Sequence, residues 1–433
     1  MALICKFLNF IFKIITRPVF SGLFYLLFVL ILNDIMANKP IHKIGKIEII
    51  GLNKTKNYII EREILHPINV ELDSSLANLD RNRIFNLGLF NNVSWRIIPL
   101  ENGNATLQYF MIESINKTPP LVFPGYEEEK GWSLNGLWII NNFQGKNRTF
   151  KIEGSFGGQQ RIEFFLSDPW MFGNHISLST FLEVNSYDHL FLNRNINIKR
   201  FKMNFGKWYG EKLKVRFSPS LIQKFFFNSI DTLSYNYFSP EINLEIDTRD
   251  IFWNPKNGIR IIQSIVPMLG ENIFNVWNQS LSIYMSSLFN TTIAMNTTIQ
   301  RKYGYKNDAW LNYFGNSYNV RGWRLPEKKS ASNNYRFGHD YVFSSLELRK
   351  LIITDNTRSG LSKGLSIVAF IDGGFIESSL KKLNKDKFMG GVGFGMRIPI
   401  PVLQSLRIDI GWGYRNDKLN KKPAFHIAIQ QKF

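Results

Sequence analysis

From about Trp132 to the C-terminus, apolar and polar residues alternate with period two, in short runs broken by Gly, Asn, Asp and Pro. Phe150, Ile152, Gly154 and Phe156 share one face, and Lys151, Glu153 and Ser155 the other. Ile176, Leu178, Thr180, Leu182 and Val184 oppose Ser177, Ser179 and Glu183. The pattern recurs over Ile242–Ile246, Val392–Ile398 and Leu406–Tyr414. Each run predicts a strand with one face in an apolar medium and the other wet. Charges of both signs in mid-strand suit a hydrated interior, and large aromatics at strand ends suit membrane interfaces. About 300 residues at roughly ten per strand accommodate about sixteen strands. Lipid offers the backbone no hydrogen bonds, so such a sheet must close. The predicted fold is a transmembrane antiparallel β-barrel over residues 132–433.

Residues 44–115 follow a different pattern. Ile44 and Lys46–Ile50 read as a strand closed by the turn Gly51-Leu52-Asn53. Tyr58–Ile64 has helical spacing, and Leu76, Leu79, Ile84 and Leu87 predict a second amphipathic helix stopping near Gly88. Val93–Ile98 and Thr106–Ile112 alternate around a turn at Asn102-Gly103-Asn104. This is an α+β unit of order strand, helix, helix, strand, strand. Residues 116–131 read as a linker.

The N-terminus carries Lys6, Lys13 and Arg17, then an almost unbroken apolar run Val19–Leu32, then Ala37. Those are the parts of a secretory signal peptide over residues 1–37. The run is short of the roughly 20 residues that span a bilayer, and an uncleaved anchor is the alternative. No later apolar run is long enough for a spanning helix, which excludes a multi-helix membrane protein.

Composition narrows the function. An apolar fraction of 44% with 37 Phe excludes a disordered chain. The formal charge is +19, but the basic residues are dispersed, so no nucleic-acid partner is expected. The single Cys5 excludes a disulfide framework and a Cys-based metal site. The six His lack metal-ligand spacing. Gly390–Gly395 lacks the helix and the Lys-Ser/Thr of a phosphate loop. No metal, cofactor or catalytic site is expected, and the protein is not read as an enzyme.

Local sequences then resemble one superfamily. "IEIIGLNKTKNYIIEREI", "RIFNLGLFNNV" and "LQYFMIES" look like a POTRA domain, a periplasmic module that binds unfolded chains. "FFLSDPWMFGN", with Asp168-Pro169 at its turn, "IDTRDIFWNPKNG", with Asp247, Arg249 and Asp250, "NVRGW", "FIDGG", "GVGFGMR" and "LRIDIGWGY" follow in the order of the outer-membrane insertase and two-partner secretion superfamily typified by BamA. Trp323 replaces the usual Phe or Tyr, and a single POTRA-like unit is fewer than BamA relatives carry. The resemblance implies an insertase of the cell outer membrane, with outer-membrane lipid and unfolded outer-membrane proteins as partners and accessory assembly proteins left open. Clients would meet a seam between the first strand, near Trp132–Ile140, and the last, ending at Phe433. A polypeptide-secretion pore and a general diffusion porin are the alternatives.

One constellation is legible from the residues. A long loop before Tyr341 contains Arg321, followed by Gly322 and Trp323. By parity Ile367, Ala369, Ile371 and Phe375 face lipid, so Phe370, Asp372 and Gly374 face inward, as do Glu347 and Arg349. The expectation is that Arg321 enters the interior and pairs with Asp372, with Glu347 as a second acceptor. A guanidinium fork suits carboxylates. Gly374, Gly391, Gly393 and Gly395 would leave room for the loop tip.

Overall fold

The computed structural model describes residues 43–433 except 102, 115–118, 128–129, 174, 190, 288, 326–328, 354–363, 383, 401–403 and 430. The expected signal peptide lies outside the described residues. The described residues divide into two compact units, one within 43–46, 67–72 and 98–106, the other within 47–66, 73–97 and 107–433.

The N-terminal elements are β1 (Lys43–Ile50), α1 (Asn57–Glu61), α2 (Ser74–Asn86), β2 (Phe90–Pro99) and β3 (Asn104–Glu113). The three strands form a sheet of order β1-β3-β2, so β2 is an edge. The α2 helix starts where the Asp73 carboxylate accepts from the Ser75 and Leu76 amides at 2.8 and 3.0 Å, a side-chain cap. It stops before Gly88, whose φ of 74° is a left-handed helix exit. The α1 helix is shorter than its spacing predicts. The amides of Leu65 and His66 turn onto the buried carboxylate of Asp80, at 3.0 and 3.1 Å, instead of extending the helix.

The remaining strands are β4 (Leu121–Glu127), β5 (Gly131–Phe143), β6 (Arg148–Gly157), β7 (Gln159–Asp168), β8 (Ile176–His189), β9 (Arg194–Tyr209), β10 (Leu213–Phe227), β11 (Thr232–Asp247), β12 (Gly258–Met268), β13 (Phe274–Ser287), β14 (Thr291–Gly304), β15 (Asn312–Tyr313), β16 (Phe337–Gly338), β17 (Asp340–Leu351), β18 (Ser366–Glu377), β19 (Phe388–Ile400), β20 (Gln404–Arg415), β21 (Lys418–Leu419) and β22 (Ala424–Ile429). All but β15 and β16, which pair with each other, belong to one large antiparallel sheet. Among the described residues that sheet has seventeen strands, in an order that sets β22 beside β4. The two-residue β21 pairs the same strand, β20, as β22 does.

Residues 116–131, expected as a linker, contain β4, which pairs with Gly131–Leu137 of β5. The first strand of the sheet is therefore β4, and Trp132 lies on the second. Pro119, Pro120 and Pro124 hide this strand in the sequence, because proline reads as a strand breaker.

Alternation decides the faces. Ile371 is 60% exposed and its neighbours Phe370 and Asp372 are buried at 2%. No helix of the described residues is long and apolar enough to cross a membrane. Within the larger unit, the N-terminal elements touch four successive turns at one end of the sheet. The Lys56 amide donates to the Gly145 carbonyl at 3.0 Å. The Arg62 guanidinium lies 4.0 Å from the Trp170 ring centroid, and Arg83 pairs with Glu211 at 2.8 Å. The Asn86 side chain donates to the Asp250 carbonyl and accepts from the Phe252 amide, at 3.2 and 3.0 Å.

Candidate functional site

The described residues of 305–339, which link β14 to β17, cover the inner face of the sheet. Their two arms meet in the β15–β16 pair. The Arg336 guanidinium donates to the carbonyls of Phe314, Gly315 and Arg324 at 3.0, 3.3 and 2.8 Å. The Asn319 side chain accepts from the Gly315 amide at 2.8 Å and donates to the Tyr313 carbonyl at 2.9 Å. These bonds give the tip, Val320-Arg321-Gly322-Trp323, a fixed shape before it meets the sheet.

Arg321 is fully buried. Its Nε and Nη2 donate to the two oxygens of Asp372 at 2.8 and 3.0 Å. Its Nη1 donates to Glu347 at 2.7 Å and to Asp409 at 3.0 Å. The guanidinium carbon lies 3.6 Å from the Phe370 ring centroid. The flat ion thus has carboxylates at its edge and an aromatic ring on its face, the two contacts a guanidinium makes best.

Gly322 has φ 88°, and its amide donates to His426 Nε2 at 2.9 Å. The Trp323 indole donates to the Gly390 carbonyl at 2.8 Å and packs over Gly413. A side chain on Gly391 would put its first carbon 1.9 Å from the Arg321 carbonyl, and one on Gly374 would meet Phe314 of the loop at 2.9 Å. Gly393 and Gly395 instead make room for Phe370 and Asp409.

The carboxylates also hold cations that sequence reasoning did not connect to the loop. Arg397 reaches Asp409 at 2.6 Å and Glu347 at 3.2 Å. Arg349 reaches Glu347 at 2.8 Å, and Arg407 donates to the Ser317 carbonyl at 2.6 Å. Lys432 reaches Asp372 at 2.9 Å. Asp409 and Arg397 were recoverable by the parity argument that found Asp372. Lys432 was not, because the chain leaves the strand after β22. For the same reason Phe433, expected at the seam, lies on the inner side, its ring 4.9 Å from the Arg349 guanidinium.

A second anchor had no sequence signal. Trp310 inserts its ring among Phe274, Tyr237 and Tyr235, at centroid distances of 5.3, 5.7 and 6.5 Å. The ammonium groups of Lys224 and Lys302 donate to the carbonyls of Ala309 and Trp310.

The other motif residues stay apart from this site. Asp168 pairs with Arg148 at 2.6 Å and accepts from the Trp170 amide at 2.9 Å, so it and Pro169 shape the turn after β7. Asp247 holds Arg249 through two oxygens at 2.9 and 2.7 Å. Asp250 accepts from the Ile251 and Lys256 amides at 2.8 and 2.9 Å, which folds the turn after β11. Trp132 is exposed against Tyr126 of β4. Among the described residues no group of three or more His, Cys, Asp or Glu is placed to hold a metal ion.

Residues 142–433 match the family described as the Omp85 superfamily domain. No curated protein sequence matches the chain. Among solved structures, the fold is similar to BamA from Haemophilus ducreyi lacking POTRA domains 1-3, with a TM-score of 0.57 at 14% identity over 90% of this chain and 84% of that one. It is also similar to CdiB from Acinetobacter baumannii, with a TM-score of 0.54 at 14% identity over 90% of this chain and 74% of that one. For CdiB from Escherichia coli the TM-score is 0.51 at 11% identity, over 91% and 90% of the two chains.

Proposed function

Because the chain belongs to the Omp85 superfamily, we propose that it is an outer-membrane insertase for β-barrel proteins. On this reading the large sheet closes into a barrel with its apolar face in lipid. The N-terminal α+β unit is a POTRA-like domain in the periplasm, and its exposed sheet edge takes up extended client chains by strand addition. The Arg321 cluster locks the long loop into the lumen, so clients leave sideways between β22 and β4.

The observation that carries this reading is the shortness of those two strands. Among the described residues β22 has six residues against twelve in β20, and β4 has seven against thirteen in β5. Pro124 of β4 also lacks the N–H a ladder uses. On this reading the short, proline-bearing junction opens, and its backbone groups are then unpaired within the bilayer. Those groups template a client strand, and folding free energy drives insertion without chemistry. The loop anchored at both Trp310 and Arg321 fills space a diffusion porin keeps open. A polypeptide-secretion pore, the second reading the superfamily allows, would also have to move that loop.

The test is a cysteine on β4 and one on β22, scanned for a pair that oxidises. An insertase loses assembly of all outer-membrane barrels under oxidation and recovers it with reductant. Assembly that continues with the junction locked, together with loss of a single exported polypeptide on depletion, identifies the secretion pore instead.

A further inference from the structure

A cleft of about 730 Å³ lies on the outward face of β7–β11, away from the loop site. It follows one register row, Glu183–Arg200–Ile222–Tyr237, whose side chains point inward. The next row on one side is wholly apolar: Leu182, Phe201, Leu221 and Phe238. The row on the other side places Lys199, Gln223 and Asn236 side by side. That second row continues through Val184 and Ile162, so the cleft has one greasy rim and one rim that is apolar on β7 and β8 and polar on β9–β11.

Lys199 makes no ion pair or hydrogen bond among the described residues. The Gln223 amide donates to the Asn236 side-chain oxygen at 3.1 Å, leaving the Asn236 N–H groups free to donate. Depth fits as well. On β9 the outward residues Phe201, Met203 and Phe205 lie between Lys199 and Lys207. Eight residues at roughly 3.3 Å each, tilted as barrel strands are, give about 20 Å, close to the height of a lipid-facing apolar band. Lys199 marks one border of that band, at the end opposite the turns that meet the N-terminal elements. A free cation at such a border draws a lipid headgroup.

We propose that this cleft binds a phosphate-bearing lipid of the outer leaflet, with an acyl chain along Phe201, Leu221 and Phe238 and the phosphate on Lys199 and Asn236. The proposal rests on the reading that the outward face meets lipid and that the N-terminal elements lie in the periplasm. It does not depend on how clients are inserted.

The experiment is native mass spectrometry of the full chain in nonionic detergent, with phosphatidic acid, diacylglycerol of the same acyl chains, or inorganic phosphate added. Phosphatidic acid should be retained and diacylglycerol should not, and inorganic phosphate should not displace the lipid. Lys199→Ala should cut retention about fivefold, the effect of one basic residue at a lipid surface. Leu221→Trp, which fills the cleft, should do the same, and Lys207→Ala should change nothing. Retention unchanged in Lys199→Ala, equal retention of diacylglycerol, or displacement by inorganic phosphate overturns the proposal. If Leu221→Trp does not fold, Lys199→Ala and the lipid comparison still decide. A chain that is monodisperse without detergent would instead remove the reading underneath.

Discussion

One carboxylate, that of Asp372, holds both the side chain and the backbone of Arg321. The oxygen that accepts from Nε at 2.8 Å also accepts from the Arg321 amide at 3.0 Å, and the second oxygen takes Nη2. Removing one partner of a buried pair strands the other charge, at a cost of about 3–5 kcal/mol. Asp372→Ala and Arg321→Ala should each lower the denaturation midpoint accordingly, measured on purified protein in detergent. The double variant should cost clearly less than the two together, as it does for groups in one network. Strictly additive losses would show that the pair is not a unit.

The loop tip also needs the absence of a side chain. A methyl on Gly391 would sit 1.9 Å from the Arg321 carbonyl, which is backbone and cannot rotate away. Gly391→Ala should therefore lift the tip off the sheet without replacing any charged residue. Limited proteolysis should then cut within 305–339 at least several times faster than in the native protein. Unchanged cutting would mean that β19 yields instead.

Trp310 anchors the other arm of the loop. Its half-buried ring lies against three aromatics and 4.4 Å below the Lys224 ammonium. Trp310→Ala should cost about 3 kcal/mol, the low end for losing a large aromatic. It should also raise conductance in planar bilayers, since the Trp310 and Arg321 anchors grip different strands. A variant as stable and as quiet as the native protein would make Trp310 a passive lining residue.

The sequence made the faces of the strands legible because period-two alternation is set by two solvents, and each residue there answers to one of them. Ile371 and Asp372 needed nothing else. Arg321, Asp372 and Glu347 came together from the same parity plus a family-like motif. What stayed hidden lies where that rule lapses. β4 is short, contains Pro124 and follows Pro119-Pro120, Lys432 and Phe433 lie beyond the ladder of β22, and Trp310 sits in a loop with no period. Asp80 was missed for another reason. A buried carboxylate on a helix looks like an exposed one until the amides of Leu65 and His66 and the Tyr109 hydroxyl are seen to converge on it.

Glu113 gives a pH test inside the N-terminal part of the larger unit. Its carboxylate accepts from the amides of Asn53, Lys54 and Thr55 at 3.2, 3.1 and 2.8 Å, fastening the turn after β1 to the end of β3. Partial burial opposes ionisation, but the bonds from Thr55, Asn53 and Lys54 together outweigh it and hold the carboxyl below its ordinary range. A carboxyl with a depressed folded value stabilises the fold above its unfolded value of about 4.3. That contribution disappears as the pH falls through the folded value. Hydrogen exchange at residues 53–55, corrected for intrinsic rates, should be slower in the native protein than in Glu113→Gln at pH 7. The two proteins should converge as the pH falls through the folded value of Glu113. A difference that persists in acid would mean that the turn is held by packing, with the carboxylate a bystander.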